Sequence, residues 1–570
     1  MRVSKKLRSQ SWFDPSLSPA WAANADGRPV IGIAQTGSDL VLENRHHLAL
    51  APALRAGIEE AGGIPLEFPV HPMGEGLRRP SAGLDRNLGY LGLVEILHGY
   101  PLDGVVLTTG SGQSTAAALM AAASVNIPAI LLSCGPMLNS YWQGARKASS
   151  VLLLGARDGA DKEDAGALRA AALPSAGHDN MMGAALAMNA LSEGLGLMLP
   201  GGASIPAPLR ARERMAYDTG RRAVALVEED LRPSRILTRD AFINAIRLAA
   251  ALGAPADCVP HLIAAARHMG VELTMADWRQ SGNEVPLLVN CMPAGEYLAE
   301  DFHEAGGVPS VLAELIAAHL IAKNAQGVSG RTIGHDNAGR YAGRRDVIRT
   351  LTDPLRARPW QVAITGNFFE SAVMTTGLVD EAFRRRHLSR PGAEGIWETR
   401  VVVFEGPEDY EARINDPALG IDEDCILVLR FVGPVGYPGA ASLTSLQPPE
   451  ALRARGLKAL PVLSDAWDVG PAAPFAIHQV SPEAATGGYL AFLRDGDRLR
   501  IDMQTHRIDA LVSEAQMLRR QRETRLLIHA NQTPWQEIYR KTVGPVGTGA
   551  CIETAMNYLD IVEARGQPRG

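Results

Sequence analysis

Cysteine is scarce in this chain, and long apolar runs are absent. Its five cysteines lie far apart among 570 residues, without a Cys-X-X-Cys pair. They are Cys134, Cys258, Cys291, Cys425 and Cys551. This spacing offers no disulfide framework and is typical of a reduced compartment, so we expect a cytoplasmic protein. No apolar run approaches the roughly 18 residues that a membrane-spanning helix needs. The basic N-terminus lacks the apolar segment of a secretory signal, so we expect neither export nor a membrane partner.

Strong positive charge is missing as well. Charged residues make up 21% of the chain, the net charge is −6, and no basic tract occurs. Nucleic-acid binding usually requires such a tract, so nucleic acid is excluded as an expected partner. A hydrophobic content of 46% is ordinary for a soluble globular protein. The length exceeds what one hydrophobic core supports and predicts two or three domains.

The first half of the chain alternates apolar runs of strand length with runs of helix length. Strands are predicted at 29–34, 103–107 and 129–133, and helices at 53–61, 113–124 and 180–198. Pro52 suits a first helical turn but would break a helix begun earlier, so the segment before it stays ambiguous. Strand, helix and strand within residues 103–133 form a right-handed βαβ unit. This predicts a doubly wound parallel α/β domain over residues 1–375.

The character of the chain changes after about residue 375. Apolar runs at 401–404, 426–429, 499–503 and 507–512 are separated by Gly, Asp or Pro and read as strands. We therefore predict a second, β-rich domain over residues 376–570.

Several stretches resemble the IlvD/Edd dehydratases, most closely the branch that acts on sugar acids such as xylonate and arabinonate. These stretches are IGIAQTGSDLVLENRH (31–46), PLDGVVLTT (101–109), AAASVNIPAILLSCGPML (121–138) and SPEAATGG (481–488). The resemblance runs from about residue 6 to about residue 536. It implies an α/β domain followed by a barrel-like β domain, an active site between them, and a dimer or tetramer.

Three positions depart from the resemblance in a way that bears on chemistry. The family's cysteines, which hold a two-iron two-sulfur cluster, fall on Glu43, Ser111 and Asp179. Thiolates suit iron–sulfur clusters, whereas carboxylates and hydroxyls suit hard cations. Cys134 follows a predicted strand near the same crevice, but one thiol cannot replace three. We therefore predict that no iron–sulfur cluster is bound.

The other parts of the family's mechanism are replaced too. The family's magnesium ligands after the second cysteine fall on Gly112 and Gln113, a further Glu falls on Ser442, and only Glu75 remains. The family's catalytic serine falls on Val469. The usual metal-assisted dehydration cannot be assumed for a chain with these residues.

Three hypotheses remain open. In the first, Glu43, Asp179 and His178 form an acid/base set, because two carboxylates in a partly dry pocket can split their pKa values. Gly110, Ser111 and Gly112, at a helix start, would bind a substrate carboxylate through backbone N–H groups. The reaction would be an elimination, hydration or isomerisation of a small hydroxylated carboxylate.

The second hypothesis is a hard-metal site for Mg²⁺ or Mn²⁺ made of Glu43, Asp179 and Glu75, with His178 as an optional further ligand. The third is a catalytically inactive paralogue that acts as a binding or regulatory subunit. The carboxylates argue against a mere relic, because two unpaired buried carboxylates cost several kcal/mol.

Three further residues are candidate substrate contacts. His46 lies close to Glu43 in sequence, and Trp467 and Asp468 are departures in the loop that carries the family's serine. Trp467 could supply a stacking wall and Asp468 a new acid, although such residues are more often plain loop surface, and His46 could be a structural hydrogen-bonder.

Overall fold

The structure, a computed structural model, describes residues 27–75, 78–158, 162–376, 383–389, 394–443, 446–457, 459–468 and 476–557. The start of the resemblance near residue 6 and Val469, the position of the family's serine, lie outside these residues. None of the helices within the described ranges combines the length and apolar character that a bilayer crossing requires.

A four-stranded parallel sheet with strand order β2-β1-β3-β4 organises the N-terminal part. The strands are β1 (Val30–Gln35), β2 (Ile64–Pro69), β3 (Gly104–Thr109) and β4 (Ala129–Ser133). Every residue of β1, β3 and β4 is buried, as expected for strands covered by helices on both faces. From β1, the chain adds β2 on one side of the sheet and β3 and then β4 on the other, which confirms the predicted doubly wound α/β class.

Helices cover both faces of this sheet. In chain order they are His47–Glu60, Gly83–Gly99, Gly112–Val125, Ser149–Asp158, Lys162–Ala172, Ala184–Gly194, Arg210–Glu228, Pro233–Ile236, Arg239–Leu252, Cys258–His268, Met275–Ser281, Ala299–Glu304, Gly307–Ala317 and Ile333–Asp336. A small hairpin, β5 (Tyr141–Trp142) with β6 (Ala145–Arg146), stands apart from the main sheet.

Two predicted helices have different bounds. The helix expected to start near residue 53 begins at His47 and contains Pro52. The carbonyl that Pro52 leaves without an N–H partner belongs to Leu48, whose residue is 46% exposed, so water can replace the lost bond. The helix predicted at 180–198 spans only Ala184–Gly194, and the backbone turns at Gly196 with a φ of +89°.

A closed eight-stranded barrel forms the C-terminal part, in the order β10-β11-β12-β8-β7-β14-β13-β9. Its strands are β7 (Gln361–Gly366), β8 (Ser371–Thr375), β9 (Ile396–Phe404), β10 (Cys425–Leu429), β11 (Val462–Ser464), β12 (Ala476–Ser481), β13 (Arg498–Asp502) and β14 (Arg507–Ala510). The four strands predicted from the sequence correspond to β9, β10, β13 and β14. The barrel expected from the resemblance is therefore present. The domain boundary near residue 375 stays a prediction, with β7 and β8 preceding it in the chain.

Short helices connect the barrel strands and follow them. They are Arg384–Leu388, Pro407–Arg413, Pro417–Leu419, Glu450–Ala454, Ala484–Thr486, Tyr489–Phe492, Glu514–Glu523, Pro534–Thr542, Val546–Thr548 and Glu553–Asn557. The last three pack back onto the N-terminal part of the chain, where the Trp535 indole N–H donates to the Leu84 carbonyl.

A buried guanidinium joins the two parts of the molecule. Arg86, in the helix Gly83–Gly99, is only 1% exposed and donates to the carbonyls of Gly549 and Ala550 at 2.7 and 2.6 Å. Its Nη1 lies 3.2 Å from Nδ1 of His261, and its guanidinium carbon lies 5.3 Å from the centre of the Trp467 ring. One side chain thus holds the C-terminal segment and the barrel loop against the α/β part.

Replacing Arg86 should therefore weaken the whole assembly. Arg86→Ala removes two buried hydrogen bonds; the Gly549 carbonyl loses its 2.7 Å donor, while the Ala550 carbonyl keeps the Asn87 amide at 2.9 Å. We expect the free energy of unfolding to fall by about 3 kcal/mol. Urea midpoints followed by tryptophan fluorescence measure the loss. Arg214→Ala, at an exposed arginine paired with Asp218, serves as the control and should keep the wild-type midpoint. Equal midpoints for both variants would contradict the role assigned to Arg86.

Candidate active site

The carboxyl ends of β1, β3 and β4 meet at one edge of the parallel sheet. The Ser111 turn follows β3, Cys134 follows β4, and the loop that carries Glu43 lies between β1 and the helix His47–Glu60. In open α/β sheets this edge is where ligands bind.

The Ser111 turn and the Glu43 loop are tied together by hydrogen bonds. Asn44 accepts the N–H of Ser111 at 2.9 Å, and the Cys134 thiol donates to the Glu43 carbonyl at 2.7 Å. A side chain at Gly110 would place its Cβ 2.1 Å from the Asn44 Oδ1, so this close approach requires glycine. Ser111 itself caps the helix Gly112–Val125, because its Oγ accepts the N–H of Ser114 at 3.2 Å.

The loop that carries His178 and Asp179 is fixed beside the end of β4. The His178 N–H donates to the Gly135 carbonyl at 3.0 Å, and the His178 carbonyl accepts from Met137 at 2.8 Å. Asp179 Oδ1 accepts its neighbour's N–H, that of Asn180, at 2.8 Å. The structure therefore brings Glu43, Ser111 and Asp179 to one crevice, from three separate segments of the chain.

Carboxylates raise one another's pKa in this crevice. Burial raises the pKa of Glu43, and the charge of Asp179 adds to the effect. Burial also raises the pKa of Asp179, against the hydrogen bonds it accepts from Ser150 and Asn180. Burial of the carboxylate, together with the charge of Glu43, raises the pKa of Glu75 to about 7, although the rest of that residue is exposed. A raised carboxyl pKa favours a protonated, acid-donating form near neutral pH.

The N–H groups of the Ser111 turn already have partners. Glu75 accepts the N–H of Gln113 at 3.3 Å and also interacts with that of Gly112. Ser111 donates its N–H to Asn44, and Gly110 donates to Ser114 at 3.3 Å. An internal carboxylate thus lies at the helix start where a substrate carboxylate was predicted, and a substrate would have to displace it. The binding role of Gly110, Ser111 and Gly112 stays a prediction.

His178 can serve as a base but not as an acid near neutral pH. It is fully buried, its Nδ1 lies 3.0 Å from the Asp179 carbonyl, and its Nε2 has no hydrogen-bond partner. Burial lowers the pKa of His178 to about 4, so the imidazole is neutral at pH 7. The half-buried His46 interacts instead with Arg212 and the Ala207 backbone, and burial followed by the charge of Arg212 lowers its pKa.

The barrel side contributes the opposite wall. Asp468 is half-buried, and one of its oxygens lies 3.5 Å from His478 Nδ1. His478 Nε2 lies 2.9 Å from the Thr375 hydroxyl. Trp467 is only 3% exposed and packs on Arg86 and His261, with ring centroids of Trp467 and His261 5.3 Å apart. Because so little of the Trp467 indole is exposed, mainly its edge is available for the stacking contact that was predicted from the sequence.

Asp257 is a site residue that the sequence reasoning missed. It precedes the helix Cys258–His268, and its Oδ1 is buried without a hydrogen-bond partner. Burial raises its pKa well above the ordinary value, followed by the charges of Asp468 and Glu75. The sequence offered one signal, since the stretch Gly253 to Asp257 matches a substrate-contact stretch of the dehydratases that the chain resembles.

The crevice therefore carries a row of interacting carboxylates. Asp468 and Glu75 raise the pKa of Asp257. Glu43 and Asp179 raise the pKa of Glu75, and Asp179 also raises that of Glu43. Within the described ranges, Glu43, Glu75, Asp179 and Asp257 form no ion pair with a basic side chain. A row of this kind can exchange protons with a bound molecule, because its members differ in burial and in partners.

The side chains at this site do not fit the iron–sulfur cluster or the magnesium ion that the resemblance implies. Cys134 is the thiol beside Glu43, and burial raises its pKa to about 12, which disfavours the thiolate an iron–sulfur cluster requires. Cys258, near Asp257 and Glu75, is buried too, and its thiol pKa is likewise raised. For Mg²⁺ or Mn²⁺, no group of three His, Cys, Asp or Glu side chains in the described part of the chain surrounds a common point.

Family comparisons place this architecture among known proteins. Residues 28–336 match the dihydroxy-acid/6-phosphogluconate dehydratase N-terminal family model, and residues 346–550 match the C-terminal model. The chain belongs to the dihydroxy-acid/6-phosphogluconate dehydratase family. This is a family of lyases, and it confirms the IlvD/Edd resemblance seen in the sequence.

Relatives within this family cover nearly the whole chain. A D-xylonate dehydratase from Caulobacter vibrioides is 47% identical over 98% of this chain and 97% of its own length. An L-arabinonate dehydratase from Rhizobium leguminosarum bv. trifolii is 37% identical over 96% of both. A dihydroxy-acid dehydratase from Caldanaerobacter subterraneus is 34% identical over 86% of this chain and 88% of its own length. These similarities confirm the sugar-acid branch of this dehydratase family.

The buried imidazole of His178 predicts a pH-dependent loss of stability. Its pKa in the folded protein is lowered below the ordinary value of about 6.5, so its contribution is complete above that pH and is lost as the pH falls towards 4. We expect the stability advantage of wild type over His178→Gln to shrink by about 2 kcal/mol between pH 7.5 and pH 5. Urea unfolding of both proteins at the two pH values measures this change. A constant difference would mean that His178 already carries its proton or stays solvated in the folded protein.

Proposed function

We propose that this chain is a hydro-lyase that acts on a small sugar-acid-like hydroxy acid by acid–base chemistry, without an iron–sulfur cluster. The observation that carries the proposal is the row of interacting carboxylates at the carboxyl edge of the sheet, where burial raises the proton affinity of Glu43 and Asp179 and the charge of Asp179 raises that of Glu43 further. Neutral His178 supplies a base in the same loop as Asp179.

The substrate class follows from the relatives. The names D-xylonate dehydratase and L-arabinonate dehydratase denote enzymes that remove water from five-carbon sugar acids. Dehydration of such an acid breaks the C2–H and C3–OH bonds and forms an enol, which tautomerises to a 2-keto-3-deoxy acid. The reaction needs a base for the C2 proton and an acid for the departing hydroxyl.

The described residues can be assigned to these two tasks. His178 Nε2, neutral and without a partner, accepts the C2 proton. The Glu43–Asp179 pair, whose raised pKa values favour a protonated member, donates a proton to the C3 hydroxyl, which leaves as water. Asp257 and Asp468 face the same crevice from the two parts of the molecule and contact the remaining hydroxyl groups.

The substrate carboxylate takes the place of an internal one. We propose that it accepts the N–H groups of Gly112 and Gln113 after Glu75 has withdrawn, since two carboxylates cannot share these donors. With its pKa near 7, Glu75 is readily protonated and released from them. A helix start favours a negative charge and can therefore bind the incoming carboxylate.

Substitution of the acid pair tests this assignment. Glu43→Gln and Asp179→Asn should each lower the turnover of D-xylonate or L-arabinonate by about 100-fold or more, the usual loss for a general acid. Formation of the 2-keto-3-deoxy acid is the readout. The matched control is Glu411→Gln, an exposed carboxylate on the helix Pro407–Arg413, which should retain wild-type turnover. If the crevice variants behave like this control, the acid–base assignment is wrong.

Cofactor analysis tests the other half of the proposal. Protein purified without oxygen should be colourless and should contain neither iron nor sulfide in stoichiometric amounts. Cys134→Ser should leave turnover unchanged, because the thiol donates to the backbone carbonyls of Glu43 and Gly135, which a hydroxyl can also reach. A brown protein with stoichiometric iron and sulfide would overturn the cluster-free mechanism while leaving the substrate class intact.

The inactive-paralogue hypothesis makes the opposite forecast. In that case purified protein would turn over none of the sugar acids and would co-purify with a cluster-bearing homologue.

We further propose that the chain self-associates as a dimer or larger oligomer, since Leu40, Leu42 and Leu48 are exposed at the rim of the crevice. Light scattering of the purified chain measures its oligomeric state.

A further inference from the structure

A second cavity, of about 750 Å³, lies at one end of the barrel. It is bounded by residues 356–359, which lead into β7, by the helix Arg384–Leu388 and by the turn between β13 and β14. None of its lining residues belongs to the crevice described above. Its volume falls within the usual range for sites that bind small molecules, about 300–1,000 Å³.

Most of the charged or titratable side chains in the walls of this cavity are basic. Arg356, Arg358, Arg384 and His506 line it, and Glu394 is the single acidic residue among the described lining residues. This concentration of positive charge is unexpected in a chain whose net charge is −6. Val362 and Met503 add apolar surface.

The basic groups repel one another. Burial and then the charge of Arg384 lower the pKa of Arg356. Burial and then the charge of Arg358 lower the pKa of His506, against weaker opposing effects of Glu284 and Asp502. An anion placed between these groups would relieve the repulsion.

Internal contacts satisfy only some of these cations. Arg358 donates to the Met503 carbonyl at 3.1 Å, and Arg356 lies with its guanidinium carbon 5.6 Å from the centre of the Trp360 ring. The Arg384 side chain has no hydrogen-bond or ion-pair partner within the described ranges. Its planar donor fork suits the oxygens of a phosphate or carboxylate group.

We propose that this cavity binds a small polyanion, a phosphorylated or multiply carboxylated metabolite, held between Arg356, Arg358 and Arg384. Its limited volume favours a small molecule over nucleic acid, which needs an extended basic stripe rather than a pocket. Apolar surface at Val362 and Met503 contacts the carbon skeleton of the metabolite. The proposal does not depend on the reaction proposed for the crevice.

Calorimetric titration of the full chain at low ionic strength tests this site. The probes are pyrophosphate, citrate and glucose 6-phosphate, with uncharged glucose as the neutral comparison. We expect saturable binding of one anion per chain, weakened by added salt, and no binding of glucose. The ranking of the three anions distinguishes a phosphate ligand from a carboxylate ligand.

Variants locate the binding on the chain. Arg384→Ala should weaken binding about tenfold, and Arg384→Glu should abolish it, because loss of one charge-assisted contact has about that effect. Arg385→Ala is the matched control, since this exposed neighbour does not line the cavity, and its affinity should stay within about twofold of wild type. Far-ultraviolet circular dichroism verifies that each variant is folded.

Three results would overturn the proposal. They are no saturable binding of any of the three anions by wild type, equal losses in the Arg384 and Arg385 variants, and tighter binding of a short single-stranded RNA than of every small anion. Saturable binding that is lost in Arg384→Glu and retained in Arg385→Ala would support it, whatever the crevice proves to catalyse.

Discussion

The chemistry of this protein depends on negative charge that the fold does not neutralise. Glu43, Glu75, Asp179 and Asp257 approach one another at the edge of a parallel sheet, and no basic side chain in the described part of the chain pairs with them. Burying a carboxylate without a partner is costly, so protons must take the place of cations. Proton affinity, rather than shape alone, is therefore the property that this crevice offers a ligand.

The crevice keeps its form because its two walls are joined elsewhere. Arg86 binds the carbonyls of Gly549 and Ala550 and lies beneath Trp467, so the barrel loop that carries Asp468 is held against the α/β part. The Gln479 amide adds a bond across the boundary, donating to the Ala256 carbonyl at 3.0 Å, next to Asp257. Two walls anchored in this way hold Asp257 and Asp468 within electrostatic reach.

The sequence predicted those strands and turns that local residue patterns determine. Apolar runs and turns identified β1, β3 and β4 and the segments that follow them, and the resemblance located Glu43, Ser111 and Asp179 at their ends. The long-range contacts could not be predicted, because no local residue pattern indicates that Asp257 faces Asp468 or that Glu75 reaches the start of the helix Gly112–Val125. The start of the helix at His47 was not predicted either, because the helix tolerates Pro52 only where water can reach the carbonyl of the exposed Leu48.

For the substrate carboxylate that we propose to bind there, the Glu75 carboxylate at the start of the helix Gly112–Val125 is a tethered competitor. Because it is part of the chain, its effective concentration at those donors is of millimolar order or higher, whatever the dilution of the protein. Any external acid must outcompete it, which lowers apparent affinity and favours ligands present in abundance. The same tether would compete with other small anions for the N–H groups of the helix start, and this would make binding there more selective.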